Sequence, residues 1–220
     1  MQVRDEFIAI ASHELRTPLL LRLSQLKRDA RAANAPERDM SNLLVAEHQV
    51  KRLADLVSDL LDVSRLGTVI MPLQLETLDL SAVAAEVVTR LEPTAARAKC
   101  ELTLQAGPAV GNWDRYRLEQ ALTRLISNAL KYGAGKPVVI GIERAGDLAR
   151  VTVRDQGIGI APEALNRIFA KYERAVSDRH YGGLGLGLYV TRQAIEAMKG
   201  TVRAESHPGA GSIFIIELPI

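Results

Sequence analysis

Cysteine is nearly absent: Cys100 stands alone in 220 residues, which excludes an intramolecular disulfide and any metal site built from several thiolates. Its surroundings, Cys100-Glu101-Leu102-Thr103-Leu104, alternate polar and apolar residues, predicting a core-facing strand position and an inert thiol. A charge excess is missing too. Lys and Arg number 28 and Asp and Glu 26, a formal net charge of +2, so no large field points to nucleic acid or an anionic membrane as partner. No apolar run approaches the roughly 20 residues that cross a bilayer, and Asp5 and Glu6 make the first ten residues too acidic for a signal peptide. The expectation is a soluble chain. There is also no G-x-x-x-x-G-K-[ST] sequence, which excludes the phosphate loop of the P-loop ATPases.

What is present suits folding. A hydrophobic fraction of 47% with 25% charged residues is globular in character, and the length allows two modest domains, each with its own core. Residues 2–33 lack glycine and place Ile8, Ala11, Leu15, Leu19, Leu23 and Leu26 three or four apart, an apolar stripe on a helix. Asn34-Ala35-Pro36 breaks it, and the glycine-free stretch 37–66 carries Leu53, Leu56, Val57 and Leu60 at helical spacing. Such a hairpin cannot bury both stripes by itself, which predicts pairing of two copies into a four-helix bundle.

Gly67 to Pro72 ends the second helix and predicts a linker over 67–72 between a domain of residues 1–66 and one of residues 73–220. Beyond it, Leu73-Gln74-Leu75-Glu76 and residues 100–105 alternate like strands, and residues 81–98 read as a helix capped by Ser81. Residues 138–143 and 148–155 flank Ala145-Gly146-Asp147 as a hairpin, and 201–205 pairs with 212–218 around Pro208-Gly209. Helices are expected over 115–131, 162–169 and 188–199. The predicted class is α+β: an N-terminal helical hairpin dimerising into a four-helix bundle, followed by an α/β sandwich.

His13, in Ser12-His13-Glu14-Leu15-Arg16-Thr17-Pro18, lies beside the apolar stripe and not within it. An exposed neutral imidazole is a competent nucleophile. Glu14 can orient the ring or take its proton given a favourable rotamer, and Thr17, four residues on, shares its face. Pro18 bends the helix beside it.

The second half carries parts suited to a nucleotide. Asn128, within a helix, offers an amide oxygen of the hard kind that Mg²⁺ accepts. Lys131 can neutralise phosphate charge, and Tyr132 offers a flat ring to adenine. Asp155 ends a strand and can accept the adenine amine, while Gly157 and Gly159 let backbone approach the ring. Gly183-Leu184-Gly185-Leu186-Gly187 leads into a helix, whose free N–H groups bind phosphate oxygens. Residues 174–181, polar and aperiodic, read as a lid over ATP, with Arg174 and Arg179 as phosphate contacts. Each part alone has a bland counterpart, such as a surface amide, a turn former or a flexible loop; their order within one domain is the informative feature.

At this point the chain resembles a sensor histidine kinase over essentially its whole length. His13-Glu14-Leu15-Arg16-Thr17-Pro18 resembles the H-box, Asn128-Ala129-Leu130-Lys131-Tyr132 the N-box, Asp155 to Gly159 the G1 box, Ile168-Phe169-Ala170-Lys171-Tyr172 the F-box, and Gly183 to Gly187 the G2 box. The resemblance implies a Bergerat-type ATP-binding domain in which Asn128 binds Mg²⁺ and Asp155 recognises adenine. It also implies phosphorylation of His13, then transfer to an aspartate on a response-regulator receiver domain. Glu14 and Thr17 match the family's E-x-x-T element, whose threonine positions water for dephosphorylating the regulator. A homodimer, no nucleic-acid partner, and a cytoplasmic core tied to a membrane only through a sensor region outside this chain are further implications. One departure stands out: where the family usually has a second asparagine one turn before the metal ligand, this chain has Arg124. Two rivals are a clamp ATPase of the same superfamily, for which His13-Glu14 would have no use, and a non-enzymatic scaffold, which would not bind Mg-ATP.

Overall fold

The computed structural model describes residues 73–133, 135–173 and 185–220, with scattered positions between 25 and 50. The chain divides into two compact units, Met1–Ile70 with Asp178–Leu186 and Met71–Ser177 with Gly187–Ile220. In the first, positions 25, 26, 28 and 29 are helical, Pro36 is not, and positions 38, 39, 42, 43, 45, 46 and 50 are helical again. The rest of the expected hairpin lies outside the described residues.

The second unit runs β1 (Leu75–Asp79), α1 (Leu80–Ala98), β2 (Leu102–Ala106), β3 (Val110–Asp114), α2 (Arg115–Tyr132), β4 (Val138–Ala145), β5 (Leu148–Asp155), α3 (Pro162–Leu165), α4 (Gly187–Ala197), β6 (Thr201–His207) and β7 (Gly211–Pro219). Five strands form one sheet in the order β2-β4-β5-β7-β6, and β1 and β3 form a two-stranded antiparallel ribbon. Only β2 and β4 run parallel within the large sheet.

Strand alternation makes the sheet two-faced. Val138, Ile140 and Ile142 of β4, Ala149, Val151 and Val153 of β5, and Phe214, Ile216 and Leu218 of β7 are buried and join one core with the apolar faces of α1 and α2. Burying one such Leu, Ile or Phe side chain contributes about 1.5–3 kcal/mol relative to leaving it exposed. The opposite face carries charge: Arg150 bridges Glu143 at 3.1 Å and Glu217 at 2.8 Å across three strands.

Several expectations need correction. Ser81 does not cap α1; Asp79 does, accepting the Ser81 N–H at 3.0 Å, while the Ser81 hydroxyl donates to the Gly107 carbonyl at 2.5 Å. The strand expected from residue 73 begins at Leu75, and the one expected from Cys100 begins at Leu102. Cys100 is buried nonetheless, its Sγ 3.9 Å from the Leu130 carbonyl. The helix expected over 162–169 stops at Leu165. The chain then turns so that Phe169 meets Phe214 edge-on, centroids 6.4 Å apart. The ribbon strand β3 was not anticipated. It forms because Trp113 is fully buried with Nε1 donating to the Pro219 carbonyl at 2.9 Å, a tertiary cause with no local signal.

Candidate nucleotide site

α2 is the spine of the site. Its first turn is fixed by Asp114, which accepts the N–H of Arg117 at 3.0 Å and that of Gln74 at 3.1 Å. Its apolar face, Leu118, Leu122, Leu125, Ile126 and Ala129, is buried, and this leaves Asn128 half-buried and Lys131 exposed. Asn128 makes no side-chain hydrogen bond to another described residue, so its amide oxygen is available as a ligand. Lys131 places its Nζ 5.0 Å from the centre of the Tyr132 ring.

At the C-terminal end of α2 the backbone of the Asp155–Gly159 loop docks directly on the helix. The Ile158 N–H donates to the Tyr132 carbonyl at 3.3 Å. A Cβ on Gly157 would overlap that same carbonyl and come within 2.9 Å of Gly133 Cα, so only glycine permits the approach. Gly159 adopts φ +69, and a Cβ there would overlap the His207 carbonyl. The loop is held from its other side by Gly209, whose N–H donates to Ile158 at 2.8 Å. Ser206 completes the support: its Oγ accepts the Ile160 N–H at 2.8 Å and donates to the Gly211 carbonyl at 2.7 Å.

Asp155, the last residue of β5, is 5% exposed. One carboxylate oxygen accepts the Gly157 N–H at 2.8 Å, and the Ser212 backbone N–H is the second group that favours the charged form. Burial pushes the carboxyl above its ordinary value of 3.8, and the two N–H groups oppose the shift without cancelling it. A carboxylate offers about four lone-pair sites; with one taken by the Gly157 N–H, an exocyclic amine can occupy another. The sequence pattern did not single out Ser206 or Ser212. Both are buried, but only Ser212 stands in an otherwise apolar run, Ser212-Ile213-Phe214-Ile215-Ile216, where a polar residue is a signal; Ser206 lies among polar neighbours in Arg203-Ala204-Glu205-Ser206-His207 and carries none.

The third element is the start of α4. Gly185 takes φ +71, Leu186 is fully buried, and α4 opens at Gly187. Gly187 lies against α2, its Cβ position 3.9 Å from Cδ of Arg124. α2 thus carries the Asp155–Gly159 loop at its end and the first residue of α4, Gly187, alongside its middle. Gly183, Leu184, Arg174 and Arg179, and likewise His13, Glu14 and Thr17, lie outside the described residues. Among the described residues no group of three His, Cys, Asp or Glu side chains forms a metal cluster. A Mg²⁺ ion bound through one protein ligand plus nucleotide phosphates needs none, and Asn128 fits that role.

Comparison with known proteins accords with this arrangement. The family model for the His Kinase A phospho-acceptor domain matches residues 3–68, and that for the histidine kinase-, DNA gyrase B- and HSP90-like ATPase matches residues 113–220. The circadian input-output histidine kinase CikA of Synechococcus elongatus is 33% identical over 225 residues, covering 98% of this chain and 30% of its own. The sensor-like histidine kinase SenX3 of Mycobacterium tuberculosis is 34% identical over 226 residues, covering 98% and 54%. The chain therefore spans less than two thirds of these relatives. Among solved structures, full-length ShkA with AMPPNP superposes with a TM-score of 0.72 at 29% identity, over 97% of this chain and 45% of that one. The Acinetobacter baumannii histidine kinase AdeS gives 0.66 at 28%, over 94% and 97%. With the phospho-acceptor match enclosing His13 and the ATPase match enclosing Asn128, Asp155 and Gly187, the chain belongs to the sensor histidine kinases, of which it carries the catalytic core.

Proposed function

We propose that this chain transfers the γ-phosphoryl group of ATP to His13 and then to an aspartate of a response-regulator receiver domain. The observation that carries the reading is the docking of the Asp155–Gly159 loop on the end of α2, where Gly157, whose N–H the buried Asp155 carboxylate accepts, and Ile158 lie against the Tyr132 backbone. Adenine is held by Asp155 against Tyr132, and the N–H groups that open α4 take the phosphates together with Lys131. Asn128 would hold Mg²⁺, which when bound neutralises phosphate charge. Residues 174–181 close over the nucleotide, and Arg174 and Arg179 reach the phosphates.

The domain of residues 73–220 then moves about the linker 67–72 to bring the γ-phosphorus in line with an imidazole nitrogen of His13. The nitrogen lone pair forms the N–P bond as the bond to the β,γ-bridging oxygen breaks, ADP leaves, and Glu14 takes up the proton from the other ring nitrogen. Positioning and charge neutralisation supply most of the rate. Thr17 positions water when the same hairpin dephosphorylates the regulator. The hairpin works as a homodimer; Leu26 of its apolar stripe is 42% exposed in the single chain, which supports pairing. Among the described residues no helix is long and apolar enough to cross a membrane, consistent with a core that acts in the cytoplasm beside its ATP supply.

The reading is tested by incubating the chain with γ-labelled ATP. The protein is expected to acquire label that survives alkali and is released by acid, the behaviour of an N–P bond, and His13→Gln is expected to acquire none. Label of equal intensity in His13→Gln would overturn it.

A further inference from the structure

Where β5 ends, the charged face of the large sheet holds an open cleft of about 330 Å³, at the lower end of the range for small-ligand sites. Strand register builds it. Arg154 of β5, Ile213 of β7 and Glu205 of β6 stand side by side across three strands, and one pair further on Gly211 faces His207. Arg154 and Gln156 line one side of the cleft and Glu205 and His207 the other, with half-buried Ile213 between them and Gly211 leaving its place beside Ile213 unfilled. Asp155 points to the core face instead, by the alternation of the strand. The charges around the cleft do not cancel. Arg150, on the same face two pairs away, is bridged to Glu143 and Glu217, and Glu205 is paired with Arg203 on its own strand. Arg154 makes no hydrogen bond or ion pair with any described residue. It is therefore the uncompensated charge, a guanidinium fork of the shape that takes a carboxylate through two parallel hydrogen bonds, set beside an apolar surface.

We infer that this cleft binds a short aliphatic monocarboxylate, its carboxylate on Arg154 and its tail on Ile213, and that its occupancy tightens ATP binding by bracing the turn that supports the Asp155–Gly159 loop. The coupling follows from shared walls. The His207 carbonyl stands where a Cβ on Gly159 would go, and the Gly209 N–H donates to the Ile158 carbonyl at 2.8 Å. Gly211 lies so close to the backbone of Asp155 and Gln156 that a Cβ on it would overlap the Asp155 carbonyl. Residues 207–211 are thus at once a wall of the cleft and the prop of the loop. A ligand that ties this wall to Arg154 favours the docked form of the loop, and a ligand that needs that form then binds more tightly. The coupling rests on the reading of the loop as the adenine site; binding of the acid does not.

The test is titration of the full chain with butyrate, with its uncharged isostere butyramide and with inorganic phosphate, followed by amide and guanidinium resonances, for the wild type, Arg154→Ala and Arg144→Ala. Butyrate is expected to saturate with a Kd on the order of 1 mM and to shift the resonances of Arg154 and of residues 205–213. Butyramide and phosphate, which lack the charge and the tail respectively, should bind at least about tenfold more weakly, and Arg154→Ala should weaken butyrate by roughly tenfold to a hundredfold, the loss of one charge-assisted contact. Arg144, whose guanidinium bonds the Gly146 carbonyl at the other end of the β4–β5 pair, is the control, and Arg144→Ala should bind butyrate as the wild type does. In saturating butyrate the wild type is expected to bind Mg-ATP about fivefold more tightly or better, and Arg154→Ala to show no gain. Absence of saturable butyrate binding, or binding unchanged in Arg154→Ala, overturns the site. Phosphate or butyramide binding as tightly as butyrate overturns the ligand class, and bound butyrate with ATP affinity unchanged overturns the coupling. A wild type that binds butyrate in the cleft but never binds ATP overturns the nucleotide reading, and the coupling with it, while the acid site stands.

Discussion

Gly157→Ala is expected to weaken ATP binding by about a hundredfold or more and to destabilise the second unit by roughly 1–3 kcal/mol, the cost of forcing one methyl into a packed site. The added Cβ would overlap the Tyr132 carbonyl oxygen and lie 2.6 Å from its carbon and 2.9 Å from Gly133 Cα. All three are backbone atoms, so no side chain can swing aside. The loop must lift from α2 instead, breaking the Ile158 to Tyr132 hydrogen bond and displacing the Gly157 N–H that the Asp155 carboxylate accepts. Gly146→Ala is the control. That residue also has positive φ, +66, but a Cβ there meets nothing within 4 Å, so it costs about 1 kcal/mol of backbone strain and leaves ATP affinity unchanged. Urea unfolding and nucleotide titration of the two variants side by side separate lost space from lost conformational freedom.

The second large effect is expected at Asp155. Asp155→Asn is nearly isosteric but exchanges one acceptor oxygen for an NH₂ donor. With the remaining oxygen taken by the Gly157 N–H, the amide presents a donor to the donor amine of adenine, and ATP affinity should fall about a hundredfold. Stability should respond differently with pH. The folded state holds the Asp155 carboxyl above its ordinary 3.8 because burial penalises the charge, so between those two values the native state binds more protons than the unfolded chain. Wild-type stability at this site is therefore greatest at low pH and is lost as pH rises through the raised value. The asparagine has no proton to lose. Unfolding free energies of the nucleotide-free proteins should thus shift in favour of Asp155→Asn as pH rises from 3.8 through the raised value. A shift the other way would mean that the carboxylate is stabilised, not penalised, by its surroundings.

Local patterns made part of the fold legible. α2 was visible almost to the residue, since a 3.6-residue apolar period ran unbroken from Arg115 to Gly133. The β4–β5 hairpin was visible because Gly146-Asp147 supplies its turn. Asp79 and Ser81 are both good caps two residues apart; the choice between them was made by where β1 ends and α1 begins, which depends on the pairing of β1 with β3. The parallel pairing of β2 with β4 leaves no mark within either strand. Ile168 and Phe169 looked helical because they are apolar at the right spacing, yet Phe214 draws Phe169 into a turn. At the site, the glycines announced close backbone approach, whereas Ser206 and Ser212 act through strand register. Ser212 stands opposite both Asp155 and Ser206, a relation that exists only once three strands are assembled.

The most direct test of phosphoryl transfer from the sandwich to the hairpin is a single-turnover reaction, with chain in excess over Mg-ATP, followed by ³¹P resonance and by mapping of the modified peptide. The expected result is that ATP loss, ADP formation and phosphorus bonded to His13 rise together in equal amounts, with inorganic phosphate appearing later if at all. ATP consumed to ADP and free phosphate, with His13 unmodified throughout, would contradict it.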